Sequence, residues 1–132
     1  AGIIGGDQDY ASAEDLEGCF YDTSFSASNT TSSVQDFVKA YTDEYGEAPT
    51  NFCALGYDAA AIMAAGLEAA EKSGESAGSD AYKQAVIDGI AAAKVSGVTG
   101  DISYSGTGDP VKSTLIITFK DGKEEIFDTI DA

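Results

Sequence analysis

A chain of 132 residues suffices for one compact domain and can bury well over half of its unfolded surface. Its 7 basic and 23 acidic residues leave a net charge of −16, a surface that repels a phosphate backbone, so no nucleic-acid partner is expected. Histidine is absent, which removes the commonest general base and zinc ligand, and the two cysteines, Cys19 and Cys53, form no CxxC pair, which argues against a zinc site.

Ala1-Gly2-Ile3-Ile4-Gly5-Gly6 reads as the end of a buried strand entering a glycine turn. It lacks an initiator Met, a basic stretch and a signal core, and the expectation is a fragment cut from a longer chain. Asp7-Gln8-Asp9-Tyr10 follows, at the place where open α/β sheets receive ligands, just beyond a strand C-terminus. Ser12 is set to cap a helical turn over Ala13–Leu16, and Gly18–Asp22 reads as a short strand. Ser24–Ser33, rich in serine and threonine, has linker chemistry. Cys19 and Cys53 read as two buried free thiols, with a disulfide as the alternative that only geometry decides.

Ser33 is expected to cap an amphipathic helix, because Val34, Phe37, Val38, Tyr41 and Tyr45 repeat on one helical face. Gly46 supplies the stop and Pro49 reinforces it. Phe52-Cys53-Ala54-Leu55-Gly56-Tyr57-Asp58, running on through Ala59–Lys72, is apolar or small on nearly every side. A helix apolar all round is usually buried, and the internal charges Asp58 and Glu68, together with Gly56, argue against a membrane span. A buried core helix is the expectation. Ser79 caps a third helix with Tyr82, Ala85, Val86, Gly89, Ile90 and Ala93 on one face. Gly97–Tyr104 reads as a turn and a short strand, and Ser105–Asp109 as a second linker ending at Pro110. Leu115–Phe119 and Glu125–Ile130 flank Asp121-Gly122, a hairpin signal.

The sum is α/β, with three good helices and about five strands, too few and too short for a complete parallel sheet. Catalytic signals are missing. The Ser24–Ser33 hydroxyls have no His or Lys partner for a nucleophile. Asp7-Gln8-Asp9 lacks the downstream Gly and Glu of a calcium loop. Asp101 with Asp109, or Glu124 with Glu125, read as solvated charges rather than acid pairs. No phosphate-binding glycine motif is present, and neither cofactor nor metal is expected.

Five short motifs in order carry more information than any one of them. They are Gly5-Gly6-Asp7; Asp36–Tyr41 with Tyr45–Pro49; Ala54-Leu55-Gly56-Tyr57-Asp58-Ala59; Gly97–Ile102 with Gly108-Asp109-Pro110; and a last strand with Asp121-Gly122. In this order and spacing the chain resembles the C-terminal part of the type I periplasmic-binding-protein family, more narrowly the amino-acid-binding (Leu/Ile/Val-type) receptors of ABC importers. The resemblance implies an incomplete type I fold with parts of both lobes. Residues 1–22 and 113–132 would belong to the second lobe and 34–104 to the first, with 23–33 and 105–112 as hinge crossings. It implies an extracytoplasmic, non-enzymatic, periplasmic or lipid-anchored receptor, with a small amino acid and an ABC permease as partners. Asp7 would bind the ligand's ammonium group and Phe52 would line the side-chain pocket. Tyr57 is a family-typical aromatic, more a packing residue than a ligand contact. Gln8 and Tyr10 depart from the Gly and Trp of many relatives. A sensory or scaffold module of the same architecture, without a transport role, is the alternative. A fragment lacking the rest of such a receptor is expected either to self-associate or to rearrange so that its open sheet edges are buried.

Overall fold

The computed structural model describes residues 12–106 and 108–132, so the expected strand end at Ile3-Ile4 and the Gly5-Gly6-Asp7 turn lie outside the described residues. The described elements run α1 (Ala13–Leu16), β1 (Phe20–Thr23), α2 (Ser32–Tyr45), α3 (Asn51–Ser73), α4 (Asp80–Ala91), β2 (Val95–Gly97), β3 (Gly100–Tyr104), β4 (Pro110–Val111), β5 (Thr114–Lys120) and β6 (Lys123–Ile130). The fold class is α/β. Two three-stranded sheets form, β1-β5-β6 and β2-β3-β4, and every ladder between described strands is antiparallel.

The expected hairpin is present. Lys120 pairs with Lys123 around Asp121-Gly122, and both turn residues have positive φ, 50° and 72°. That is what a two-residue turn needs to match the right-handed twist of its strands, and aspartate followed by glycine adopts it at least cost. A register shift between Ile116 and Ile117 interrupts the ladder, and the Ile117 side chain is fully buried. Gly97–Tyr104 is more than a turn and a strand. Val95–Gly97 pairs back on Gly100–Ile102, which leaves Val98-Thr99 as the tip of a second hairpin.

Side-chain caps open two of the four described helices. Ser12 accepts from the Asp15 amide while the Asp15 carboxylate accepts from the Ser12 amide, a reciprocal capping box. Ser79 accepts from the Tyr82 amide at the start of α4. Ser33 is not a cap. α2 begins at Ser32 with Thr31 as its N-cap, and the Thr31 side chain makes no capping bond. Its apolar stripe packs as the period requires at Val34, Phe37 and Val38, but Tyr45 at the C-terminal end is exposed.

The expectation of a helix buried all round is overturned. In α3 only Ala54, Asp58, Gly66 and Ala70 are buried, a stripe with a four-residue repeat, while Phe52, Tyr57, Met63 and Leu67 are exposed. The small side chains of the stripe are the reason, because they admit another helix backbone on one side and give the helix nothing bulky to bury there. A Cβ on Gly66 would sit 2.7 Å from Ile90 Cγ1, and one on Gly89 would sit 2.6 Å from Ala69 Cβ, so α3 and α4 cross nearly backbone to backbone. By length and composition α3 is the one described helix that could cross a bilayer. Its buried charge, Asp58, is taken up by the polypeptide itself.

The Ser24–Ser33 connection has no regular element before α2 but is packed against the core. Phe25 and Ser26 are buried, and Phe25 joins Val34, Ala54 and Val98 in a core edged by Phe37 and Val38. Its polar groups close short local turns. Thr23 Oγ1 accepts from the Phe25 amide, Ser26 Oγ from the Ser28 amide and Asn29 Oδ1 from the Thr31 amide. Gln35 of α2 donates back to the carbonyls of Ala27 and Asn29. The expectation of two buried thiols is also corrected. Both cysteines are free, Cys19 is exposed on the chain entering β1, and Cys53 is half-buried.

Candidate functional site

Asp58 lies on the buried stripe of α3 and is 2% exposed. A carboxylate in that position needs donors, because an unpaired buried charge is costly. The β2–β3 turn supplies them. The Val98 amide donates to Asp58 Oδ1 at 2.9 Å, and the Thr99 amide and hydroxyl donate to Oδ2 at 2.9 and 2.6 Å. Lys112 Nζ in turn donates to Thr99 Oγ1. Burial holds the Lys112 ammonium below its ordinary range, and the attraction of Asp58 opposes that shift. Gly97 completes the seat, since a Cβ there would lie 2.4 Å from the Asp58 carboxylate atoms.

Sequence reasoning gave Asp58 no structural role of its own, counting it as a charge interrupting an apolar helix and as one letter of the Ala54–Ala59 motif. The signal that could have found it is positional. Asp58 stands four residues after Ala54 and eight before Gly66, in register with the small-residue stripe that the helix buries.

The turn held by Asp58 forms one wall of a cleft of about 430 Å³. Ser24, Ser26 and Asn29 from the first connection between the sheets line it together with Thr99, Asp101, Ser113 and Thr129. The lining is rich in hydroxyls, suited to hydrogen-bonding a polar group and without a nucleophile–base pair. Asp101 is partly engaged by Ser96, whose hydroxyl donates to it at 2.6 Å. Among the described residues no group of three or more His, Cys, Asp or Glu is placed to hold a metal ion.

The site residues expected from sequence fall elsewhere. Asp7 lies outside the described residues. Phe52 is on the first turn of α3, 74% exposed, and makes no ring contact among the described residues. Tyr57 is 57% exposed, with its ring 5.0 Å from that of Phe37. It extends an aromatic row in which Phe37 also meets Phe25 at 5.8 Å and Tyr41 at 5.9 Å. Neither Phe52 nor Tyr57 lines the hydroxyl-rich cleft.

Residues 1–123 match the periplasmic binding protein family. No curated protein matches the chain. Among solved structures, an ABC transporter substrate-binding protein from Desulfitobacterium hafniense in complex with Leu is 32% identical. The match covers 86% of this chain and 32% of that one, at a TM-score of 0.68. A branched-chain amino acid transporter substrate-binding protein from Streptococcus pneumoniae, in complex with isoleucine, is 26% identical over 95% of this chain and 34% of its own, at a TM-score of 0.71. A solute-binding protein of an ABC transporter from Rhodopseudomonas palustris, in complex with 3,4-dihydroxybenzoic acid, is 26% identical over 98% and 35%, at a TM-score of 0.73. The chain spans about a third of the length of the solved structures it matches.

Proposed function

The chain belongs to the periplasmic binding protein family, a family of non-enzymatic binding proteins, and on that premise we propose that it forms the C-terminal part of the solute receptor of an ABC importer. In this reading the receptor works outside the cytoplasm, in the periplasm or on a lipid anchor, and hands its solute to a membrane permease. Residues 1–22 and 113–132 contribute to one lobe and 34–104 to the other, and the solute is held between them.

The solute class we propose is a small amino acid of the branched-chain type. The observation that carries it is the 32% identity to a protein solved with leucine. Asp7 meets the ammonium group, Phe52 lines the apolar side-chain pocket, and Tyr57 serves as a packing residue, its ring against Phe37 of α2. The exposure of Phe52 agrees with a side chain that waits for a ligand or a facing lobe, since a ring of that size is normally covered.

A second reading is favoured by the likeness to the protein solved with 3,4-dihydroxybenzoic acid. The two solutes differ at one group, because an aromatic acid has no ammonium for Asp7 to hold. Calorimetry of the complete receptor against leucine and 3,4-dihydroxybenzoate separates them. With an amino acid as solute, Asp7→Ala weakens leucine more than tenfold, in line with the roughly 2–5 kcal/mol lost when one partner of a buried charge pair is removed. Unchanged leucine affinity removes Asp7 from the site, and binding of the benzoate alone replaces the amino-acid reading.

A further inference from the structure

Lys112 and Ser113 are the two residues between β4 and β5, where the backbone leaves one sheet and enters the other. The chain carries a net charge of −16, yet Lys112 makes no ion pair with an exposed carboxylate among the described residues. Lys112 instead folds inward, half-buried, onto the hydroxyl of Thr99.

The direction of the relay is fixed by chemistry. Asp58 as a carboxylate can only accept, so the Thr99 hydroxyl spends its single proton on Asp58 Oδ2. The lone pairs of Thr99 Oγ1 then face outward, and an ammonium is the donor that fits them. The chain Lys112 → Thr99 → Asp58 begins on a cation and ends on an anion, with one neutral hydroxyl between. Asp58 is meanwhile fastened to the turn backbone at Val98 and Thr99, so the relay reaches α3 through a rigid anchor.

The neighbouring residue is held by the same turn. A Cβ on Gly100 would come within 3.1 Å of Ser113 Oγ, so the turn backbone and Ser113 are in close approach. Both residues of the connection therefore rest on residues 97–100, one through charge and the other through contact. Thr99 and Ser113 also line the hydroxyl-rich cleft, which places the contact at its wall.

We propose that Lys112, Thr99 and Asp58 form a clasp at this connection, which fixes the angle between the two sheets and so sets the open–closed balance of the receptor. The proposal rests on the two-lobed reading above. These are positioning residues, with no contact to solute required of them. A change in the balance alters the affinity for every solute by one common factor, because the solute contacts themselves are untouched.

The test uses the complete protein with Lys112→Met, Thr99→Val and the double variant, and Thr99→Ser as the version that keeps the hydroxyl. Amide hydrogen exchange reads the connection, and distances between spin labels on the two lobes read the hinge. Lys112→Met and Thr99→Val are expected to speed exchange at residues 111–114 about tenfold, the size of one lost hydrogen bond to a charged group, and to shift the ligand-free distance distribution. The double variant is expected to go no further than the larger single, because both break one relay, and Thr99→Ser to behave as the parent. Additive effects of the two singles, or faster exchange with an unchanged distance distribution, overturn the clasp. Solute affinities of Lys112→Met, a residue that does not line the cleft, are expected to change by the same factor for all solutes bound. If the parent protein binds no solute, the receptor reading fails, while exchange and distances still decide the clasp.

Discussion

At the scale of single residues, Cys53 shows how neighbours set chemistry. Its sulfur lies 3.3 Å from Thr50 Oγ1 and 3.2 Å from the Tyr41 hydroxyl, in the first turn of α3. Hydrogen bonding by the Thr50 side chain, then by Tyr41, holds the thiol below its ordinary value, and the same contact pushes the Tyr41 hydroxyl up to about 12. Both shifts favour a thiolate facing a protonated phenol. In a Cys19→Ser background, the alkylation rate of Cys53 by iodoacetamide is therefore expected to rise at lower pH than for an unperturbed thiol. Thr50→Val should move the profile upward, and by more than Tyr41→Phe does. A profile unmoved by either substitution removes the contacts as its cause. Gly97 gives the second prediction. A methyl group there meets a carboxylate held by three hydrogen bonds, so Asp58 must give up donors to make room. Each buried group left unpaired costs about 1–3 kcal/mol. Gly97→Ala should lower the urea midpoint accordingly, and a midpoint within error of the parent contradicts the seat described for Asp58.

At the scale of elements, what was legible in the sequence followed from local chemistry, and what was not followed from partners far along the chain. The caps at Ser12 and Ser79, the stop at Gly46 and the Asp121-Gly122 hairpin are written in two to four adjacent residues, and all four stand in the structure. The surroundings of α3 were misread because composition reports how apolar a helix is and not which face meets another element. Composition marked the serine-rich connection but not its packing, since a single Phe25 anchors it in a core assembled from α2, α3 and the β2–β3 turn. Asp7 and the Ile3-Ile4 strand remain expectations, outside the described residues. Two glycines test the packing of α3 directly, because the same substitution should act with opposite sign. A Cβ on Gly56 meets nothing within 4 Å, so Gly56→Ala is expected to stabilise by about 0.5–1 kcal/mol through helix propensity alone. A Cβ on Gly89 meets Ala69 at 2.6 Å and the Gly66 backbone at 3.1 Å. There the gain in propensity of up to ~1 kcal/mol is opposed by an overpacking cost of about 1–3 kcal/mol, and Gly89→Ala is expected to destabilise. Chemical denaturation of both variants reads the signs, and two stabilised proteins would mean that α3 and α4 are not in close approach.

At the scale of the molecule, the distribution of apolar surface decides what the 132-residue chain does alone. Phe52, Tyr57, Met63 and Leu67 of α3 are exposed, as is Ile87 of α4, and the β1-β5-β6 sheet exposes Phe20, Phe127 and Ile130. Phe20 and Phe127 stack edge to face at 4.9 Å, which gathers part of that surface into one patch. Exposed apolar residues are unremarkable singly, but patches rimmed by polar residues tend to be covered. β6 is also an edge strand in the described sheet, with backbone groups open to a further strand. Self-association is the outcome we expect for the isolated chain at micromolar concentration. Binding of a free amino acid is not expected there. Micromolar affinity requires about 8 kcal/mol, whereas an exposed ion pair of the kind Asp7 alone would offer contributes about 0–1 kcal/mol. A solute held between two lobes depends on both for its contacts, so the part of its site carried by one short chain cannot make up the difference. Light scattering and calorimetry against the twenty amino acids on one sample measure both halves of the prediction. A monomer that takes up an amino acid tightly and one to one would place a complete site within these 132 residues and overturn the two-lobed reading.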